Sequence, residues 1–372
     1  MLVGVPKEIK NHEYRVGMTP ASVQEMVAHG HQVLVQTQAG AGIGCSDADY
    51  EAAGARVVAE AAEVFAQAEM IVKVKEPQAI ERRMLREGQI LFTYLHLAPD
   101  PEQAKDLIAS GAVCIAYETV LDGRGGLPLL APMSQVAGRM SIQAGAYALE
   151  RAHGGEGILL GGVPGVAPAK VVVIGGGVVG ENAIHMALGM GADVTVLDRS
   201  IEVLNHLSGR FGAALKTVYS TRAALEQSVL GADLVVGGVL VKGAAAPKLV
   251  TREMLKEMKT GSVLVDVSID QGGCFETSRP TTHAEPIYVV DDVVHYCVAN
   301  MPGAVPRTST YALNNVTLPY ALALADKGYK AALLNNPSFL EGLNIYRGKV
   351  TYEAVAHDLN YDYVTPTEAL NA

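Results

Sequence analysis

Val171-Val-Val-Ile-Gly-Gly-Gly-Val-Val-Gly180 joins an unbroken apolar run to Gly175-x-Gly177-x-x-Gly180. A strand buried on both faces of a parallel sheet reads as such a run. The glycines then meet three demands of a strand-to-helix turn that receives a pyrophosphate. Gly175 allows the tight turn, Gly177 lets the phosphates approach the backbone, and Gly180 lets the helix pack on the sheet, with the helix N-terminus facing the negative charge. Eighteen residues after Gly180, Asp198 follows the run Asp193–Leu197, where a carboxylate bonds the ribose hydroxyls and disfavours a 2′-phosphate. The stretch predicts NAD as cofactor, and the adjacent Arg199 keeps some use of NADP open. In isolation these glycines would only close a turn and Asp198 would only cap a helix; the strand before and the helix after select the nucleotide reading.

The strand–helix alternation extends both ways from this turn. Runs at Asp193–Leu197, Leu215–Tyr219, Asp233–Val236, Ser262–Val267 and Tyr296–Val298 make six strands with Val171–Ile174, a complete dinucleotide fold. Upstream, Leu2–Val5, Gln32–Thr37, Met70–Lys75, Gln89–Tyr94 and Val113–Tyr117 alternate with helical stretches such as Thr19–His29 and Pro101–Ser110, which predicts a second parallel sheet. Thr19 before Pro20 is a suitable cap and first-turn pair. The Gly/Pro-rich stretch from Leu121 to Pro128 marks a boundary, Pro132 to His153 reads as one long helix, and Pro306 to Ala325 as another that returns the tail to the first sheet. The expected architecture is α/β: two doubly wound parallel-sheet domains linked by long crossing helices. A βα substrate domain takes residues 1–128 and 306–372, a Rossmann-type NAD domain takes residues 129–305, and a cleft lies between them.

Composition excludes several classes of function. A net charge of −10, from 39 acidic and 29 basic residues, repels phosphate backbones and anionic lipid, so neither nucleic acid nor membrane is an expected partner. The run from Thr308 to Ala325 lacks charge but holds two Asn, a Pro and four Ser or Thr, which makes a poor membrane span. Cys45, Cys114, Cys274 and Cys297 show no paired or metal-ligand spacing and suit a reducing cytoplasm. The first residues lack the basic start and apolar stretch of a cleaved leader, so none is expected.

Ligands bind outside the carboxyl ends of strands in open parallel sheets. Arg15, Lys75 and His96 follow strands of the first half, and Asp270 and Asn300 follow strands of the second. Taken singly, such residues are more often solvated charges, a structural histidine and turn formers. Their joint position inside longer motifs reverses that reading. Val5-Pro-Lys-Glu, Arg15-Val-Gly-Met-Thr-Pro, Val74-Lys-Glu-Pro, Tyr94-Leu-His-Leu-Ala and Asp266-Val-Ser-Ile-Asp-Gln-Gly-Gly resemble the alanine dehydrogenase and pyridine nucleotide transhydrogenase family from end to end, and the enzyme branch in particular.

The resemblance implies reversible oxidative deamination of L-alanine to pyruvate and ammonium by hydride transfer to NAD. It implies that Arg15 and Lys75 hold the substrate carboxylate and the developing carbonyl oxygen, one as a bidentate and one as a point charge. His96 is then the general acid and base, and Asp270 stands beside the nicotinamide and balances the cationic imine. It further assigns cofactor contacts to Ser134, Val178, Ser220, Val239, Leu240, Val267, Ser268, Ile269, Asp270, Arg279, Val298, Ala299, Asn300 and Met301, most of them through the backbone. Some members place a metal between an acidic residue and a histidine; here Lys327 stands where that histidine would align, so Glu118 lacks its partner and no metal is expected. A homohexamer is implied as well. The alternatives are a transhydrogenase-type NAD(H)-binding subunit and a non-catalytic NAD-binding regulator, neither of which needs Arg15, Lys75, His96 and Asp270 together.

Overall fold

The computed structural model describes residues 1–239 and 246–371, which form two compact units, Met1–Met133 with Val305–Ala372, and Ser134–Ala304. In chain order the strands among the described residues are Leu2–Val5 (β1), Gln32–Gln36 (β2), Arg56–Val58 (β3), Met70–Val72 (β4), Ile90–Thr93 (β5), Val113–Ala116 (β6), Lys170–Ile174 (β7), Asp193–Asp198 (β8), Leu215–Tyr219 (β9), Leu234–Gly237 (β10), Val263–Asp266 (β11), Ile287–Val290 (β12), Val293–Tyr296 (β13), Leu343–Tyr346 (β14) and Lys349–Val350 (β15). The sheet of the first unit has the order β15-β14-β6-β5-β4-β1-β2-β3, and that of the second β12-β13-β11-β10-β7-β8-β9. In each, the chain starts at the centre, winds outward one way, then returns to wind the other way. The reversal leaves a crevice outside the carboxyl ends of β1 and β4 in the first unit, and of β7 and β10 in the second.

The strand sequences explain their places. β4, β5, β6, β10 and β11 are buried along their whole length, as helices on both faces require, and read as continuous apolar runs. The outlying β3, β9 and β12 carry exposed positions. Thr19 caps the helix Pro20–Ala28 by accepting a hydrogen bond from Ser22 N at 3.2 Å, with Pro20 in the first turn. No helix among the described residues is long and apolar enough to cross a membrane.

Three features depart from the sequence reading. The second sheet has seven strands among the described residues, not six, and its last parallel strand is Val293–Tyr296, not Tyr296–Val298. It pairs in antiparallel fashion with β12 across Asp291-Asp292, both at positive φ (49° and 60°), which is the backbone of a two-residue hairpin built without the usual Asn-Gly or Asp-Gly signal. The first sheet likewise gains β3 and an antiparallel hairpin, β14 and β15, turned at Arg347-Gly348 with φ of 45° and 85°, so both sheets are mixed at one edge. The long helix stops at Ala148, and a separate 3₁₀ turn, Arg151–His153, follows. Gly154 turns there at φ 90°, and a Cβ on Gly155 would sit 2.3 Å from the Leu149 carbonyl carbon, so the glycine pair folds the chain back on the helix end.

Candidate active site

In the first unit the site is assembled beyond β1, β4 and β5. Arg15 is 2% exposed, and Glu13 grips its Nε and Nη2 at 2.7 Å each, while Nη1 lies 3.0 Å from the Met133 sulfur. Burial opposes the Arg15 charge, but the hydrogen bonds and field of Glu13 outweigh it and raise the pKa. The side edge of the fork is therefore engaged by Glu13 within the protein. Gly17 packs this loop against β4, since a Cβ there would lie 2.3 Å from Val72 O. Asn314, on the helix Pro306–Lys327, fixes it further: its Oδ1 accepts from Thr19 N at 2.8 Å and its Nδ2 donates to Gly17 O at 3.2 Å.

Lys75 lies three residues past the end of β4, which stops at Val72, and is half-buried. Its amide donates to Glu8 Oε1 at 3.3 Å, and its carbonyl accepts from Thr93 Oγ1 at 3.0 Å. His96 has an exposed side chain and a backbone φ of 49°, an uncommon conformation for a non-glycine residue. Glu118 holds that conformation by accepting from His96 N at 2.6 Å and Leu95 N at 3.2 Å, and its Oε1 lies 3.8 Å from His96 Nδ1. The His96 ring lies parallel to that of Tyr94 with centroids 5.7 Å apart, and the buried Tyr94 hydroxyl donates to Leu129 O at 2.5 Å. The charge of Arg15 acts on that same hydroxyl. Arg15 and His96 thus share Tyr94 as a neighbour, and Glu8 lies within the field of Arg15 while bonding the Lys75 amide.

In the second unit each glycine of the turn has a distinct environment. Gly175 adopts φ 93°; a Cβ on Gly177 would meet nothing within 4 Å; a Cβ on Gly180 would lie 1.8 Å from Gly175 O. Gly177 is the residue that caps the helix Val178–Gly189, and Val178 is 42% exposed at its first position. Open space over Gly177 at a helix N-terminus is a cradle that a Cβ would fill, and it fits the pyrophosphate of a dinucleotide. Asp198 accepts from Gly176 N at 2.7 Å and from Ser200 N at 2.8 Å, so it ties the glycine turn to Ser200, the residue that caps the next helix. A carboxylate has about four lone-pair sites, enough for ribose hydroxyls as well. Ser220 N donates to Asp198 O at 2.9 Å, and the Val239 carbonyl accepts from Ser268 Oγ at 2.8 Å, which links the ends of β8 and β9 and of β10 and β11. Leu240 lies outside the described residues.

Val267 to Asp270 form a 3₁₀ turn, Val267–Gln271, with Ser268 and Ile269 buried and Asp270 exposed. Asp266, fully buried, organises the segment that follows by accepting from Ser268 N at 3.0 Å, Cys274 N at 2.9 Å, Phe275 N at 3.3 Å and the Ser278 hydroxyl. Arg279 lies with its guanidinium 4.0 Å from the centroid of the Tyr288 ring. Val298 and Ala299 bridge to Thr281, Asn300 adopts φ 61° with its carbonyl 3.2 Å from His283 Nε2, and the buried Met301 opens a short 3₁₀ turn. Ser134 sits on the helix Ala131–Ala148, one turn before Gly138, whose Cβ position is 2.2 Å from Val179 O; that close crossing sets it beside the nucleotide helix. Sequence reasoning missed Glu8 as a side chain with a task, and it missed Glu13, Asn314, Gly138 and Asp266. Among the described residues, no group of three His, Cys, Asp or Glu is placed to hold a metal.

The chain is similar along its length to proteins of one family. Residues 4–137 match the family model "Alanine dehydrogenase/PNT, N-terminal domain", and residues 141–353 match "Alanine dehydrogenase/PNT, C-terminal domain". A protein of Halomonas elongata described as alanine dehydrogenase is 65% identical over 98% of each chain. A solved structure titled L-alanine dehydrogenase has a TM-score of 0.94 at 51% identity, covering 97% of this chain and 99% of its own. A transhydrogenase structure from Sinorhizobium meliloti reaches 0.81 at 25% identity, covering 95% and 100%. Both halves of one family, matched in sequence order along nearly the whole length, leave one assignment: the chain belongs to the alanine dehydrogenase/PNT family.

Proposed function

We propose that this protein catalyses the reversible NAD-dependent oxidative deamination of L-alanine to pyruvate and ammonium. The observation that carries the reading is the 65% identity along almost the full length of an alanine dehydrogenase, against 25% for the transhydrogenase. It disfavours both the transhydrogenase-type subunit and the non-catalytic regulator. In this reading Met1–Met133 with Val305–Ala372 is the substrate domain and Ser134–Ala304 the NAD domain. The assembly is a homohexamer in the cytoplasm, as the family resemblance and the scattered thiols suggest.

When bound, NAD⁺ supplies the hydride acceptor for the substrate Cα. Arg15, held rigid by Glu13, fixes the substrate carboxylate, and Lys75 polarises the oxygen of the keto acid. Loss of the Cα hydride and an N–H proton leaves iminopyruvate. His96 takes a proton from the water that adds to the imine carbon and returns one to the departing nitrogen, so that the carbinolamine releases ammonia and leaves pyruvate. Asp270 balances the cationic imine. Gly175, Gly177, Val178 and Gly180 receive the pyrophosphate and Asp198 the ribose, while Ser134, Ser220, Val239, Leu240, Val267 to Asp270, Arg279 and Val298 to Met301 complete the nucleotide contacts. No metal is assigned a role in this reading: Lys327 stands where the family's histidine would align, and Glu118 accepts from the Leu95 and His96 amides.

Replacing His96 with Ala is expected to lower kcat about 10²–10⁴-fold in both directions, followed by nicotinamide absorbance, with NADH affinity unchanged. Wild-type turnover in that variant would remove His96 from the mechanism.

A further inference from the structure

Lys73 is 0% exposed and lies between two buried carboxylates, with Nζ 2.9 Å from Glu8 Oε2 and 2.8 Å from Glu81 Oε1. Glu8 is 6% exposed and Glu81 1%. Each carboxylate spends its other oxygen on backbone amides: Glu8 Oε1 accepts from Val74 N at 2.7 Å and Lys75 N at 3.3 Å, and Glu81 Oε2 from Gln78 N at 2.7 Å. The segment from residue 73 to 78 is thus held at both ends by one ion triad, and Thr93 Oγ1 fixes the Lys75 carbonyl between them.

We infer that Glu8, Lys73 and Glu81 are positioning residues for Lys75, a buried clamp that sets where its backbone, and therefore its ammonium, stands. The inference rests on the reading of Lys75 as a substrate-binding residue. Two lysines two positions apart then have opposite tasks, one neutralised inside the fold and one turned to chemistry. A buried ion cluster adds little net stability, because desolvation offsets most of its Coulomb gain. Burial pushes the Glu8 carboxyl up in spite of Lys73, which agrees with a triad whose return is location more than stability.

A double-mutant cycle separates positioning from general structure. Glu8→Gln in the otherwise wild-type enzyme is expected to lower kcat/KM for pyruvate about 10–100-fold, the scale of a misplaced reacting group, with the NADH dissociation constant unchanged. In a Lys75→Ala background the same substitution should change the residual kcat/KM by less than about twofold, because there is no ammonium left to misplace. An equal loss in both backgrounds, or no loss in the first, overturns the clamp while leaving the role of Lys75 intact. Wild-type turnover by Lys75→Ala itself overturns the reading of Lys75 and the clamp with it. Should Glu8→Gln not fold, Glu8→Gln/Lys73→Met/Glu81→Gln removes the three charges together, leaves neither the lysine nor the second carboxylate uncompensated, and carries the same cycle.

Discussion

Adding one methyl group at Gly177 and one at Gly180 should have different consequences for stability, because the space around the two positions differs. At Gly177 (φ −68°, ψ −165°) the backbone is one that alanine adopts, and a Cβ would meet nothing within 4 Å. Loss of glycine flexibility in the unfolded chain stabilises by about 0.4–1 kcal/mol, and loss of a glycine cap costs a similar amount, so the melting temperature of the nucleotide-free protein should stay within about 2 °C. The methyl group would stand where pyrophosphate must approach the helix N-terminus. Losing one or two amide–phosphate bonds at about 1.5–3 kcal/mol each predicts an NADH dissociation constant raised at least about tenfold. At Gly180 the obstacle is backbone: a Cβ would sit 1.8 Å from Gly175 O and 2.9 Å from its carbonyl carbon. The helix or the turn must move by more than 1 Å, at a cost at or above the roughly 1–3 kcal/mol of ordinary overpacking. Gly180→Ala should therefore lower both melting temperature and affinity. Fluorescence titration with NADH and a thermal melt of the nucleotide-free variants decide the matter. Unchanged NADH affinity in Gly177→Ala would refute the placement of the pyrophosphate.

Asp198→Ala deletes the acceptor for the Gly176 and Ser200 amides as well as the proposed ribose contact, and should weaken NADH at least about tenfold; unchanged affinity would reduce Asp198 to a tie between those two amides. Glu13→Gln removes the carboxylate paired with the buried Arg15 guanidinium, so it should cost about 3–5 kcal/mol in denaturant unfolding of the first unit and raise KM for pyruvate; an unaltered KM would separate Arg15 from the substrate. Burial and the neighbouring Asp233 push the Glu156 carboxyl up to about 7, opposed by Lys259. A folded pKa above the unfolded 4.5 means that the contribution of Glu156 is present below 4.5 and is lost as pH rises to about 7. Glu156→Gln should therefore gain in melting temperature relative to wild type between about pH 5 and about pH 8, and a pH-independent difference would exclude the titration.

What could be read from the sequence was whatever a residue type alone requires. The glycine triplet, the apolar central strands and the Thr19-Pro20 cap each express a local constraint that admits few other residues. The hairpins escaped because Asp291-Asp292 and Arg347-Gly348 reach positive φ through residues that carry a weak turn signal. β14 escaped for another reason: its partner β6 lies more than 200 residues earlier, and antiparallel pairing over that separation leaves no periodic trace. Among the proposed site residues, Arg15, Lys75, His96 and Asp270 stood out as polar side chains after strands, whereas Glu8, Glu13 and Asp266 look in sequence like the solvated acids that most such residues are.

The carboxylates Glu8, Glu118 and Asp266 share a physical cause. A strand that ends in a sheet crevice turns into a loop whose amides have lost their ladder partners, and a buried donor left unpaired costs about 1–3 kcal/mol. One carboxylate can accept several such donors from a single point: Glu8 takes two amides and a lysine, Glu118 two amides, and Asp266 three amides and a hydroxyl. For Glu8 and Asp266 the largest influence on the carboxyl is burial, which raises its pKa despite those bonds. A raised folded pKa means that the ionised group costs folding free energy at neutral pH relative to the unfolded chain. The charge is kept where it costs because it fixes the amides of Val74 and Lys75 on one side, and of Ser268, Cys274 and Phe275 on the other, and with them the backbone from which Lys75 and Asp270 project.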